Sequence, residues 1–246
     1  KEQIAGEYQP GWMLLSYGKK VSVSSSLEGY PAENIVDEDA RTAWVAQSNR
    51  DMEWAQVDLQ RLSSIHAIQV NFDEYGANQK GAVSGVYQSY LIYASVNGED
   101  WSLVVDYGTK KTDTPHDYIE FEEPFKARYI KLQNKEYMVS ENFSVRDLRI
   151  FGKGQGSTPR AVNDFTVERD EADPCKARLC WEAVPDAQGY IVRYGIAGDK
   201  LYNNFQVMGE NTLEIGSLNK GVVYYFTIDA YNENGITRTS RIKVCR

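Results

Sequence analysis

Hydrophobic and polar positions alternate along much of this chain. The alternation is plain in Val21-Ser22-Val23-Ser24, in the run from His66 to Phe72 and in Tyr118-Ile119-Glu120-Phe121. It returns in the runs from Arg128 to Leu132 and from Leu148 to Phe151. Period-2 runs bounded by Gly, Asn, Asp and Pro, with no long stretch at period 3.6, predict an all-β architecture. Val96-Asn97-Gly98-Glu99 is the clearest hairpin signal, because Asn-Gly accepts the positive φ of a tight turn. The stretch from Gly152 to Pro159 offers little to pack, so a domain boundary is expected there. The expected organisation is an arm over 1–18, a β domain over 19–153, a linker over 154–159 and a second β domain over 160–246. In that second domain, strand-like runs start near Phe165, Ala177, Gly189, Tyr202, Thr212, Val222 and Thr237. Their spacing predicts an immunoglobulin-like β-sandwich, with Trp181, Tyr190 and Tyr224-Tyr225-Phe226 in its core.

Composition changes the picture in two places. With 27 basic and 35 acidic residues the chain carries −8, a sign that repels phosphate backbones and anionic lipid. Nucleic acid is therefore not an expected partner. No apolar run approaches the roughly 18 residues needed to cross a bilayer, so no membrane insertion is expected either. The chain starts at Lys1 with no apolar segment behind it, which reads as a removed signal peptide or an internal fragment. Three cysteines, Cys175, Cys180 and Cys245, make neither a disulfide framework nor a CxxC metal site.

The most informative stretch runs from Asn34 to Trp44, an acidic oxygen-rich loop leading into a strand. It is followed by Glu53-Trp54-Ala55-Gln56-Val57-Asp58-Leu59 and by Ser95-Val96-Asn97-Gly98-Glu99-Asp100-Trp101. Ala127-Arg128-Tyr129-Ile130-Lys131-Leu132 and the run from Val145 to Gly152 close the series. These ordered motifs, over about 19–152, resemble a discoidin (F5/8 type C) domain, the jelly-roll β-sandwich of family 32 carbohydrate-binding modules. The later segment resembles a fibronectin type III domain through Trp181, Leu218 six residues before Tyr224, and the run from Tyr231 to Gly235. The arm, with Pro10-Gly11-Trp12-Met13-Leu14-Leu15-Ser16-Tyr17, resembles the segment joining such modules to a catalytic propeller. That order is similar to the C-terminal half of Bacteroidetes enzymes of the glycoside hydrolase family 43 type, β-xylosidases and arabinofuranosidases.

The chemistry follows from the resemblance more than from the motifs alone. The loop at Asp37 is not an EF-hand, since Thr42 and Ser48 stand where that loop has its glycine and its bidentate glutamate. The discoidin resemblance implies a structural Ca²⁺ instead. Asp37 and Thr42 would give side-chain oxygens, and Asn34 and Asp39 carbonyls. Asp147 takes the place of the family's glutamate, with Arg146 beside it in the closing segment. The resemblance also implies a glycan site on the loops at one end of the sandwich, at Glu28, Tyr30, Gln47, Asn49, Arg50, Asn78 and Tyr137. Tyr75, Tyr87 and Phe143 are further loop aromatics, whereas Trp44, Trp54 and Trp101 sit in strand motifs and are expected in the core. His66 and His116 have no His or Cys cluster around them, and no G-x-S-x-G turn is present. No catalytic residue is assigned, and the chain alone is not expected to be an enzyme. It is expected to bind plant or host glycan (xylan, arabinan or galactan) for an upstream catalytic domain, in the periplasm, at the cell surface or after secretion. The alternative is a purely structural brace and spacer for a catalytic domain, or a cell-surface adhesion module without glycan binding.

Overall fold

The structure, a computed structural model, describes residues 11–77 and 85–246. Two compact units divide the chain near residue 155. The first begins with β1 (Met13–Leu14), β2 (Lys20–Val23), a 3-10 turn over Ala32–Val36 and β3 (Trp44–Val45). It continues with β4 (Trp54–Phe72), β5 (Gln88–Ser95), β6 (Ser102–Tyr107), β7 (His116–Tyr137) and β8 (Ser144–Gly154). Two separate sequence motifs, 53–59 and 66–72, turn out to be one strand of 19 residues.

That strand explains the architecture. The first half of β4 lies between β2 and the second half of β7, which continues the sheet to β5 and β6. Its second half lies between the first half of β7 and β8. The changeover is a register break between Asp58 and Ser63, where Gln60 takes a φ of 65°. A second irregularity, between Ile65 and Ala67, leaves Phe121 to Pro124 of β7 without β4 partners. Proline there has no N–H to donate, so the break costs no ladder bond at that position. A bulge bends a strand and increases its twist. Here it folds both long strands over and closes a β-sandwich, with Ala55, Val57 and Leu59 facing Ile68, Val70 and Ile150 across a shared core. Gly152 is fixed by this packing, because a Cβ there would stand 1.9 Å from the Ser64 carbonyl oxygen.

Trp44 is fully buried and packs edge-on against Phe143, its ring centre 5.8 Å away. Trp54 and Trp101 do not join it. Trp54 alternates out of phase with the buried Ala55 and Val57, and it and Trp101 lie half-buried beside Lys131 on the outer face of the sheet. At the Asn97-Gly98 turn, Gly98 takes a φ of 82°, and Asn97 Oδ1 accepts the amides of Glu99 and Asp100.

The second unit contains β9 (Phe165–Arg169), β10 (Ala177–Trp181), β11 (Gly189–Gly195) and β12 (Asn203–Met208). After them come β13 (Thr212–Ile215), β14 (Tyr224–Asn232), β15 (Gly235–Thr237) and β16 (Lys243–Cys245). One sheet runs β13-β10-β9; the other runs β12-β11-β14-β15, with β16 also on β14. Trp181 and Tyr190 meet edge-on at 5.1 Å within their shared core. Thr237 ends a strand rather than starting one. The chain from it crosses Asp229, whose carboxylate accepts the Thr239 amide, and the last strand begins only at Lys243. The expected linker is short: β8 runs through Gly154, and Gly156 and Ser157 hydrogen-bond to Asn234 at the β14–β15 turn. All three cysteines are free.

Candidate functional site

One end of the first unit gathers its long loops. Backbone bonds from Leu27 to Val45, Phe143 to Ser48, Phe72 to Pro115 and Met138 to Tyr87 tie them to one another. The loop over 24–31 rests on the core through Trp44, whose Nε1 donates to the Ser25 carbonyl and to Ser26 Oγ, both at 3.0 Å. Gly29 then takes a φ of 85°, and the turn it allows presents Tyr30. The Tyr30 ring meets Tyr75 edge-on at 4.9 Å, and both are half-buried. Gln47, exposed, reaches back to the Ser26 carbonyl at 3.3 Å. Glu28 and Arg50 are exposed on the same loops.

A carboxylate organises this end. Glu53 accepts hydroxyls from Ser24 and Ser25 on one oxygen and from Ser48 on the other. Burial alone would raise its pKa. The hydroxyls of Ser24, Ser48 and Ser25, with the charge of Arg50, outweigh burial and hold it below the usual glutamate value. Sequence reading missed Glu53, and its signal was the run Ser24-Ser25-Ser26 standing opposite it.

Other expected site residues are occupied elsewhere. Tyr137 is buried, packed against Phe72 and Phe143, with its hydroxyl on the Asp73 carbonyl. No face of its ring is open to a sugar, which corrects that expectation. The large residues flanking the loop close the sandwich end, and Tyr137 and Phe143 fill it. Asn49 spends its amide on the carbonyls of Tyr137 and Ser140 and so braces the loop. Asn78 lies outside the described residues.

The acidic loop is tightly drawn together. Thr42 Oγ1 lies 2.8 Å from Asp37 Oδ2 and 2.9 Å from the Asp39 carbonyl oxygen. Asp37 Oδ1 accepts the Asp39 amide, and Asn34 donates to the Ala43 carbonyl. Glu38 takes a φ of 61° and forks onto Arg149 at 2.7 and 3.0 Å. The Asp39 carboxylate is taken by Arg41, whose hydrogen bonds hold it at a pKa of about 2. Asp147 Oδ2 accepts from Asn71, and Arg146 pairs with Asp73. Among the described residues no three His, Cys, Asp or Glu side chains are grouped to hold a metal. The oxygens of Asp37, Thr42 and Asp39 do converge, and hard oxygens of this kind suit Ca²⁺, which takes about 6–8 of them. The donor set fits the ion in part, with backbone carbonyls needed for the remainder.

The F5/8 type C domain description matches residues 20–147. The chain belongs to the F5/8 type C domain family. Rat lactadherin is 33% identical over 110 residues, covering 42% of this chain and 25% of lactadherin. Mouse lactadherin is 32% identical over the same length. The chain thus spans about a quarter of the length of these curated relatives. Solved structures with a similar backbone include chitosan-binding module 2, in complex with chitotriose, from a chitosanase/glucanase of Paenibacillus sp. IK-5. It is 20% identical with a TM-score of 0.48, over 56% of this chain and 99% of the module. The family 32 module of Clostridium perfringens NanJ in complex with galactose is 18% identical with a TM-score of 0.46, over 57% of this chain and 98% of that one. Within this F5/8 type C unit, the expected site residues Glu28, Gln47 and Arg50 are exposed at the loop end, beside the half-buried Tyr30 and Tyr75.

Proposed function

We propose that the F5/8 type C unit binds a glycan, without cleaving it, on the loops around Tyr30 and Tyr75. The observation that carries this reading is that aromatic pair, half-buried and edge-on at 4.9 Å, beside the exposed polar groups of Glu28, Gln47 and Arg50. An aromatic face packs against the apolar face of a pyranose, and amide, carboxylate and guanidinium groups bond its hydroxyls. A glycosidase's general acid needs a raised pKa; Glu53, the carboxyl held among these loops, is committed to three serine hydroxyls and held below its usual value, so it is not suited to that role. The ligand class we propose is a plant or host polysaccharide of the xylan, arabinan or galactan type. In the full reading the chain targets an upstream catalytic domain of the xylosidase or arabinofuranosidase type, in the periplasm, at the cell surface or after secretion. The second unit then serves as a fibronectin type III spacer. No helix among the described residues is long and apolar enough to cross a membrane.

Ca²⁺ belongs to the same proposal as a structural ion. Asp37 and Thr42 would hold it by side-chain oxygens and Asn34 and Asp39 by carbonyls, with the Arg146–Asp147 segment closing the site. Bound there it would stiffen the loop behind Tyr30. The test is titration of xylan, arabinan and galactan fragments against isotopically labelled protein. Amide shifts clustered at Tyr30, Gln47 and Tyr75 support the site. Absence of shifts with every fragment leaves the brace-and-spacer role.

A further inference from the structure

The outer face of the strands β2, β4, β7, β5 and β6 carries a second arrangement, which starts at Trp54, next to Glu53. In the antiparallel register Gln56 stands opposite Lys131, and Lys131 opposite Tyr93; Trp54 stands opposite Gln133. Lys131 Nζ lies 3.8 Å from the centre of the Trp101 ring and 5.6 Å from that of Trp54. The two indoles therefore flank one ammonium group on a sheet face that also carries Gln56, Gln133, Tyr93, Tyr129 and Leu91, with Asp58 neutralised by Arg128. Across from Tyr93, Leu103 remains 47% exposed, so the face stays open at that edge.

Charge sets Lys131 apart from its neighbours. Arg128 forks onto Asp58, and Lys135 pairs with Asp51 at 2.6 Å. Among the described residues Lys131 has no carboxylate partner, although the chain carries 35 acidic residues. Its surroundings strip water from it and push its pKa down, the expected result when a cation is partly buried without a counter-charge. Aromatic rings recover only part of what a counter-charge would give such a cation. A ligand that brings a carboxylate to this position would supply what the sheet does not.

We propose that this face binds a carboxylate-bearing glycan, a uronic acid polymer, with its sugar rings on Trp54 and Trp101 and a carboxylate on Lys131. Gln56 and Gln133 supply amides for the hydroxyls. The rings are at most about 9.4 Å apart, the sum of their distances from Nζ, which a short run of sugar residues bridges. The chain's net −8 opposes a polyanion at long range. Screening over about 8 Å at physiological salt confines that repulsion, while the contact with Lys131 is direct.

The test is calorimetric titration of the whole chain with a galacturonic acid oligosaccharide and with a neutral galactan oligosaccharide of the same length. Titrations of wild type, Lys131→Gln and Tyr30→Ala are compared. The uronate should bind more tightly than the neutral sugar and weaken as salt rises. Lys131→Gln should lose about tenfold of that affinity, the worth of one charge-assisted hydrogen bond. Tyr30→Ala should leave uronate binding unchanged, which separates this face from the loop end whatever happens there. In NMR spectra the indole signals of Trp54 and Trp101 should shift with uronate. Absence of uronate binding, wild-type affinity in Lys131→Gln, or equal binding of the neutral sugar would overturn the proposal. So would preferential binding of poly-glutamate, which would make the face a docking surface for acidic peptide.

Discussion

Replacing Glu53 by glutamine tests the electrostatic organisation of the loop end. The wild-type carboxylate receives hydroxyls from Ser24, Ser25 and Ser48. Hydrogen bonds to a charged group are worth about 1.5–3 kcal/mol each, so the gross interaction is large. Glutamine keeps one carbonyl oxygen, which can retain the Ser24 and Ser25 pair, and Ser48 can reverse to accept from the new amide. What is lost is the charge assistance, and the partly exposed hydroxyls regain water. The net cost is then about 1–2 kcal/mol, or roughly 3–6 °C in the melting temperature of a unit this size. The pH dependence has a definite sign. The folded pKa is depressed, so the stabilisation is complete above the unfolded value of 4.5 and is lost as pH falls through the folded value. Melting followed by near-ultraviolet circular dichroism at pH 7 should separate the variant from wild type. The gap should narrow as pH falls below the unfolded value of 4.5 and through the lower folded value. Equal melting at pH 7, or a gap that widens on acidification, would refute the assignment of Glu53 as the ionised hub.

Gly152→Ala should lower the melting temperature of the first unit. Its Cβ would stand 1.9 Å from the Ser64 carbonyl oxygen, and forced backbone shifts of this kind cost at least about 1–3 kcal/mol. A variant that melts with wild type would show that β4 and β8 separate there easily. Calcium should raise the melting temperature, since an ion bound only by the folded chain stabilises it. Asp37→Ala should abolish that response, and melting unchanged by chelator in the wild type would remove the ion from the account.

Much of the β architecture was legible because buried and more exposed positions alternate along both halves of β4 and the second half of β7. Local pattern could not show that motifs 53–59 and 66–72 are one strand. The bend between them is made by cross-strand register and by Gln60 in a left-handed conformation, neither of which has a period. The same limit explains Trp54 and Trp101: strand membership was evident, but a two-fold alternation fixes a face only once its partner sheet is known. At the site, Tyr30 and Tyr75 could be read as loop aromatics. Tyr137 could not be told from them, because only the packing of Phe72 and Phe143 over the sandwich end withdraws it from solvent. The Glu53 hub was invisible for a related reason, since Ser24 and Ser25 reach it from 28 or more positions away in sequence.

The central claim is that a glycan docks on the loop end through Tyr30 and Tyr75. The most direct test is a titration of neutral xylan, arabinan and galactan fragments against wild type and Tyr30→Ala, read by NMR. Loop-end sites of this kind are shallow and wet, so binding should be weak, on the order of 0.1–1 mM. The account predicts saturable shifts at Tyr30, Gln47 and Tyr75 with one of these fragments, reduced about tenfold in affinity by Tyr30→Ala. Saturable binding that Tyr30→Ala leaves intact, or shifts confined to residues away from these loops, would contradict it.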